Sequence, residues 1–355
     1  LFVKRLTYLF KSNKIFSDMK NKFIVAVLLF AVAASTFMYG VFSFDAKREV
    51  DPQGSISYYA YKAKIDDTYY TSVQAAIDAA ENNDTVEIIR SHALSTSLQV
   101  SRPLKIVAPS GTSVVLTRTT AYTGSMIEVL SGGVLTLGAD SGVGTLTLNG
   151  ENKQLASGDA LVKSANSLTL KNGIVLQNNY PNNKALAVSV SSGSFTMNGG
   201  SITGNKSNAM SGAASIVLSQ NVTASITGGS ISVPTTANAE VAISVAQGAT
   251  LSVSGGAIGA QTGASAIKVV GISTSKSTLN ISESANVQGI DATQTNINIT
   301  GGAVAGQIAV SDNTTLTISG GTHSKHCNSN QHSPNKINSK HFGWFGWTNC
   351  IEWQQ

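Results

Sequence analysis

Between residues 126 and 322 the chain holds eight carboxylates, Glu128, Asp140, Glu151, Asp159, Glu240, Glu283, Asp291 and Asp312, and no two are neighbours in sequence. Carboxylates do chemistry in groups. A Ca²⁺ site needs several oxygens, proton abstraction needs a base beside an acidified C–H bond, and glycoside hydrolysis needs two acids flanking one bond. Isolated acids meet none of these demands unless the fold brings them together. The other candidates are few. Arg118 is the last arginine, and His92 is the one histidine before residue 323. Its setting, Ser91-His92-Ala93, reads as a solvated polar turn. Asp66-Asp67 is an acidic pair expected in an exposed turn ahead of the folded region. In the tail, His323, His326 and Cys327, with His332 and Cys350, offer metal-ligand atom types at a spacing that matches no closed zinc site. Gly343-Trp-Phe-Gly-Trp347 offers aromatic faces for stacking on sugar rings. No catalytic, cofactor-binding or metal-binding residue is assigned from these signals.

The elements that would position such residues must be built from an unusual composition. Only 12% of the 355 residues are charged and 6% are aromatic, too few charges for a coiled coil, a helical bundle or a charged disordered chain. The net charge of +5 is concentrated at the ends. Residues 1–50 hold eight Lys/Arg and three Asp/Glu, and 323–355 hold three Lys and one Glu, which leaves 13 basic and 15 acidic residues in 51–322. A body at 13 − 15 = −2 has no basic stripe for a phosphate backbone, so nucleic acid is not an expected partner.

The first methionine is Met19, followed by Lys20, Asn21, Lys22 and an uncharged run from Phe23 to Phe44 that contains Ala31-Val32-Ala33. This is the pattern of a secretory signal, or of a membrane anchor if it is not cleaved, with residues 1–18 as upstream read-through. Either reading delivers the body to the secreted or cell-surface compartment, with a membrane contact only through the uncleaved segment. Segment 45–68 then reads as a linker or pre-cap and 69–322 as the folded body. Residues 323–355 carry both cysteines and all three tryptophans and read as an atypical tail, truncated or frame-shifted.

The body repeats itself. Leu146-Thr-Leu-Asn-Gly150, Leu168-Thr-Leu-Lys-Asn-Gly173, Phe195-Thr-Met-Asn-Gly-Gly200, Ala224-Ser-Ile-Thr-Gly-Gly229, Leu251-Ser-Val-Ser-Gly-Gly256, Leu279-Asn-Ile-Ser-Glu-Ser284, Ile297-Asn-Ile-Thr-Gly-Gly302 and Leu316-Thr-Ile-Ser-Gly-Gly321 are separated by 22, 27, 29, 27, 28, 18 and 19 positions. Each phrase alternates apolar and polar residues, as a strand with one buried face does, and then breaks at residues that accept positive φ. A second short strand follows each corner, as in Ser201-Ile202 and Ser230-Ile231, and a third apolar alternation precedes each phrase, as in Val241 to Val245. Three strands per repeat predict one coil of a parallel β-solenoid with an aliphatic interior. The polar residue between the two inward ones then forms an outward ladder, Thr147, Thr169, Thr196, Ser225, Ser252, Asn280, Asn298 and Thr317. Stacked hydroxyls and amides of this kind satisfy one another, and they also form a surface that could contact a glycan.

Thr71-Ser72 ahead of Val73, Ala76, Ile77 and Ala80 predicts a short capping helix that stops near Asn82-Asn83, with Thr85 to Ile89 as the first strand. The phrase Tyr70-Thr-Ser-Val-Gln-Ala-Ala-Ile-Asp-Ala-Ala80, followed by Asp84-Thr-Val-Glu-Ile-Ile89, resembles the N-terminal cap and first coil of pectin-lyase-like right-handed parallel β-helix proteins. The resemblance extends through the downstream coils to about residue 322. It implies an all-β fold, a right-handed single-stranded parallel β-helix with a short N-terminal capping helix. Such proteins include polysaccharide lyases, glycoside hydrolases and non-catalytic surface adhesins. The hydrolase branch carries Asn-Thr-Asp, Asp-Asp and Gly-His-Gly motifs, and the coils here hold none of them. The expectation is a non-catalytic secreted or cell-surface adhesin or structural stalk. Its partner would be a polysaccharide, or a glycan or protein of a host or cell surface. A polysaccharide lyase or glycoside hydrolase is the alternative.

Overall fold

The computed structural model describes residues 61–156, 158–207, 212–234, 241–260 and 265–323 with their side chains. It also describes the strand segments 49–50, 56–57, 324–328, 336–339 and 350–352. Two compact units divide at Tyr59 and Ala60. In the first, Glu49–Val50 pairs antiparallel with Ile56–Ser57. The second is a parallel β-helix, built from coils of three strands each.

A strand reaches its parallel neighbour only through a crossover, and here the rest of the coil is that crossover. The first sheet starts with Thr85–Ile88, Pro103–Val107, Val134–Leu137 and Ser167–Leu170, each bonded to the strand one coil away. It continues through Ser194–Met197, Thr223–Ile226, Thr250–Val253 and Ser277–Ile281 to the first parts of Thr295–Ser311 and Thr315–Asn328, and then Lys336–Ser339. At about 4.8 Å per step these eleven strands span about 48 Å. The second sheet runs from His92–Leu94 and Ser113–Arg118 through Thr145–Asn149, Ile174–Gln177 and Ser201–Thr203. The third includes Leu98–Val100, Ile127–Val129, Val162–Ser164, Ala185–Val190 and Ala214–Leu218.

Inward residues stack in register. In the first sheet the column Leu135, Leu168, Phe195, Ala224, Leu251, Leu279, Ile297, Leu316 is buried throughout. Phe195 is 1% exposed, and its larger volume is matched by the small Ala224 on the next coil. The glycine corners follow from the same stacking. Gly229 and Gly256 have φ +85° and +79°, and a Cβ on Gly256 would lie 2.9 Å from the carbonyl oxygen of Gly229. Coils stacked this closely leave no room there for a side chain. Where Glu283-Ser284 replaces the glycine pair, Glu283 takes positive φ itself. That corner runs from Ile281 to Asn286, one residue longer than the one from Val253 to Ala257.

The helix Val73–Ala79 closes the N-terminal end, and the Ser72 hydroxyl caps it by accepting from the Ala75 N–H at 3.4 Å. Val73, Ala76 and Ile77 are its buried face. The Gln74 side chain donates to the Gln99 carbonyl at 3.1 Å and accepts from the Gln99 N–H at 2.8 Å, so it serves as a surrogate strand on the first edge of the third sheet. Arg102 Nη1 donates to the Ala80 carbonyl at 2.6 Å, which closes the helix C-terminus.

Segment 45–68, read as a linker or pre-cap, ends in the strand Ala63–Ile65, which pairs antiparallel with Thr68–Tyr70 and with Thr85–Ile88. Asp66-Asp67 is the exposed turn of that hairpin. His92 lies in a strand of the second sheet rather than in a turn. Leu146-Thr147-Leu148 belongs to the second sheet, and the first-sheet strand of its coil is Leu135-Thr136-Leu137. Strand pairing also continues past Gly321, where 325–328 align with 307–310 and 336–339 with 315–318.

Adjacent first-sheet residues point to opposite sides, and they should differ accordingly in what they cost to truncate. Phe195→Ala is expected to destabilise the solenoid by about 3–5 kcal/mol, and Thr196→Ala to stay within about 0.5 kcal/mol, in paired urea titrations. Equal losses for the two variants would contradict the assigned register.

Candidate functional site

The segments that join the second sheet to the third vary most in length from coil to coil. They run over 119–126, 150–161, 178–184 and 204–213 in successive coils, and shrink to 288–289 near the C-terminal end. Together with the turn from the third sheet back to the first, which shrinks from 271–276 to the single residue 294, this shortens the repeat there. Side by side, the first three loops border an open cleft of about 420 Å³, lined by Thr123, Gly124, Ala156, Gly158, Asp159 and Asn182. That volume is within the range of small-molecule sites.

Beneath the cleft lies a buried polar network. Arg118 is 9% exposed, and burial lowers its pKa from the usual guanidinium value. Its donors are taken by carbonyl oxygens: Nε by Gly124 at 2.7 Å, Nη1 by the Asn179 side chain at 2.8 Å and Nη2 by Asp159 at 3.3 Å. Asn179 is fully buried, and its Nδ2 donates to the carbonyls of Asp159 at 2.9 Å and Leu186 at 2.6 Å. The Asn179 N–H donates to the Asn205 side chain at 2.9 Å, and Asn205 in turn donates to the Leu176 carbonyl at 3.0 Å. A buried guanidinium is tolerated because a set of oriented carbonyls receives it. The same bonds tie the loops of successive coils together.

At the lip, the Asp159 carboxylate accepts from Lys163 Nζ at 2.9 Å and from the Asn183 side chain at 3.2 Å. Lys163 is the register partner of Glu128 on the preceding strand. Burial raises the Tyr122 pKa above the ordinary phenol value; a hydrogen bond from Ser97 opposes it, and the Glu128 and Asp159 carboxylates add to it. Two of the acids that are isolated in sequence therefore act on one side of the molecule. Nearby, Lys206 Nζ sits 4.5 Å from the centre of the Tyr180 ring. A carboxylate, amides, a hydroxyl and main-chain groups around an alanine and glycine floor suit a ligand that carries several hydroxyls.

The outward ladder is a separate feature. Thr169, Thr196, Ser225, Ser252, Asn280, Asn298 and Thr317 occupy one column of the first sheet. Thr147 does not belong to it: it lies in the second sheet beside Val115 and Val175, is 7% exposed, and its place is taken by Thr136. Within the column Asn298 donates to Asn280 at 3.0 Å, and Asn280 donates to Ser252 at 3.1 Å. Part of the ladder's hydrogen-bonding capacity is thus used internally.

Among the described residues no group of three or more His, Cys, Asp or Glu could hold a metal ion, and no helix is long and apolar enough to cross a membrane. Glu240, the run 23–44, His332 and the segment 343–347 lie outside the described residues. His323 ends the second sheet, and burial lowers its pKa, as it does that of His92. The Arg118 network was missed because its members are 61 and 26 residues apart. The available signal was the loop length that breaks the repeat, together with the run Asn178-Asn-Tyr-Pro-Asn-Asn183. No family model, curated protein or solved structure matches the chain.

Two predictions follow from these environments. Asn179→Ala leaves Nη1 of the buried Arg118 without its acceptor, and should lower stability by about 2–4 kcal/mol in chemical denaturation. Arg118→Met in the same background should recover part of that loss. Both histidines have folded-state pKa values below their unfolded ones. Their contribution is complete above the unfolded value of about 6.5 and is lost as pH falls through the folded values. His92→Gln should therefore flatten part of the decline in melting temperature between about pH 7 and pH 5; an unchanged pH profile would contradict the assigned burial of His92.

Proposed function

We propose that this protein is a secreted or cell-surface β-helix that works without catalysis, as an adhesin or rigid stalk, and that it holds glycan in the cleft between the loops of successive coils. One observation carries the reading: the Asp159 carboxylate at the lip of the cleft, and the Arg118 guanidinium beneath it, are each held in a fixed orientation by several hydrogen bonds. Arg118 is spent on three carbonyl oxygens, and the Asp159 carboxylate is held by Lys163 and Asn183. Groups fixed in this way present a shaped, preorganised surface. The carboxylate keeps further lone pairs that can accept from the hydroxyls of a ligand. The pectin-lyase-like resemblance of the cap phrase, the export pattern at Met19 and the net charge of −2 on 51–322 support the same reading.

The second reading, a polysaccharide-active enzyme, is favoured by one feature. Lys163 lies between Glu128 in register and Asp159 in contact, an arrangement of acids and a lysine from which a proton-transfer site could be made. The two readings differ in whether the polymer is shortened. The full chain is incubated with neutral and acidic polysaccharides, with and without Ca²⁺, and both retention and product size are followed. Retention at unchanged polymer length, weakened about tenfold or more by Asp159→Ala, is the expected result. Shortened polymer would establish the enzyme reading. Neither retention nor shortening would leave a stalk, or a protein ligand.

A further inference from the structure

We propose that Cys327 and Cys350 form a disulfide that ties the C-terminal strand to the last coil. They are the chain's only cysteines. Strand Thr315–Asn328 ends in the third sheet, and Cys350–Glu352 pairs with it antiparallel in the register Lys325↔Glu352, His326↔Ile351, Cys327↔Cys350. Directly opposed residues of an antiparallel pair have Cα atoms about 4.5–5.5 Å apart, within the roughly 4.4–6.8 Å that a disulfide spans. A slip of one residue would lose the juxtaposition.

The position has a consequence for the fold. The third sheet grows by parallel addition from coil to coil, and its last strand would otherwise present a parallel edge to a further strand or to a second copy of the chain. An antiparallel strand ends that progression, and a covalent link keeps it in place. Oxidation joins the two sulfurs with loss of two protons and two electrons. The oxidant is a small-molecule disulfide, whose own S–S bond breaks and which leaves as two thiols carrying those protons. Formation of the bond in the cell rests on the export reading above, since such an oxidant persists outside the cytoplasm; the register does not.

The test uses the full chain equilibrated with oxidised glutathione. Remaining thiols are alkylated, and the protein is digested without reductant and mapped by mass spectrometry. The expected product is one linked peptide pair, containing Cys327 and Cys350, from monomeric protein. Reduction, or Cys350→Ser without reduction, should speed amide hydrogen exchange in 325–327 and 350–352 by about thirtyfold or more, and leave 134–310 unchanged. Recovery of both cysteines alkylated, a link found only between two chains, or exchange indifferent to reduction would each overturn the proposal. Because the buffer supplies the oxidant, a missing link in this experiment counts against the register. A link formed here but absent from protein recovered from cells would support the register and count against export alone.

Discussion

Backbone hydrogen bonds between coils, repeated at about 4.8 Å, are the constraint on which everything else in this molecule depends. Each strand is bonded to the equivalent strand one coil before and one coil after, so a residue cannot change its direction without displacing its neighbours on both sides. The inward column from Leu135 to Leu316 and the outward column from Thr136 to Thr317 are two consequences of this one condition. The glycine corners are a third. At the spacing set by the strands, Gly256 lies against Gly229, and the backbone itself occupies the space a Cβ would take. Composition follows from geometry here: aliphatic residues inside, Thr, Ser and Asn outside, glycine at the bends, and few charges or aromatics anywhere.

That regularity made most of the fold legible in the sequence. Phrases such as Leu251-Ser-Val-Ser-Gly-Gly256 contain a strand, its register and the following corner. The helix start at Ser72 was legible for a local reason, a hydroxyl in reach of an unpaired N–H. Errors arose where two elements of one coil carry the same local pattern. Leu135-Thr-Leu137 and Leu146-Thr-Leu148 are identical as tripeptides, and both are followed by a glycine, at 138 and 150. Alternation tells which side chains point inward and is silent about which of three sheets the strand has joined. Only the pairing of Leu168 with Leu135 separates them. His92 was misplaced for a related reason: a three-residue strand with polar flanks has too little alternation to be distinguished from a turn.

The candidate site was the least legible part, and for a physical reason. A column repeats along the sequence and leaves a periodic trace. The network of Arg118, Asn179 and Asn205 arises once, from a strand end and two loops on different coils, and it has no period. What binds it is the cost of burying a guanidinium, which can be met only by acceptors arriving from several coils at once. Such a network leaves a compositional trace instead, in asparagines whose amides can donate to one backbone carbonyl while accepting from another group. Asn179 does both, and it also gives its own N–H to Asn205.

This division of labour bears on function. Coils that conform to the repeat have little freedom to acquire a site, because any inward change disturbs the stack and any corner change meets the backbone of the coil below. The loops between the second and third sheets are exempt, since they lie outside the strand columns and their length can vary from the two residues at 288–289 to the stretch 150–161. A solenoid therefore concentrates its chemical individuality on the edge where its coils are longest. In this chain that edge carries the cleft, the Asp159–Lys163 pair and the buried arginine. The N-terminal end is sealed by Gln74 against Gln99, which removes the free strand edge that would otherwise compete for partners. With the interior fixed by the ladder and that end closed, the edge at Asp159 is where the sequence is most open to change without loss of the fold.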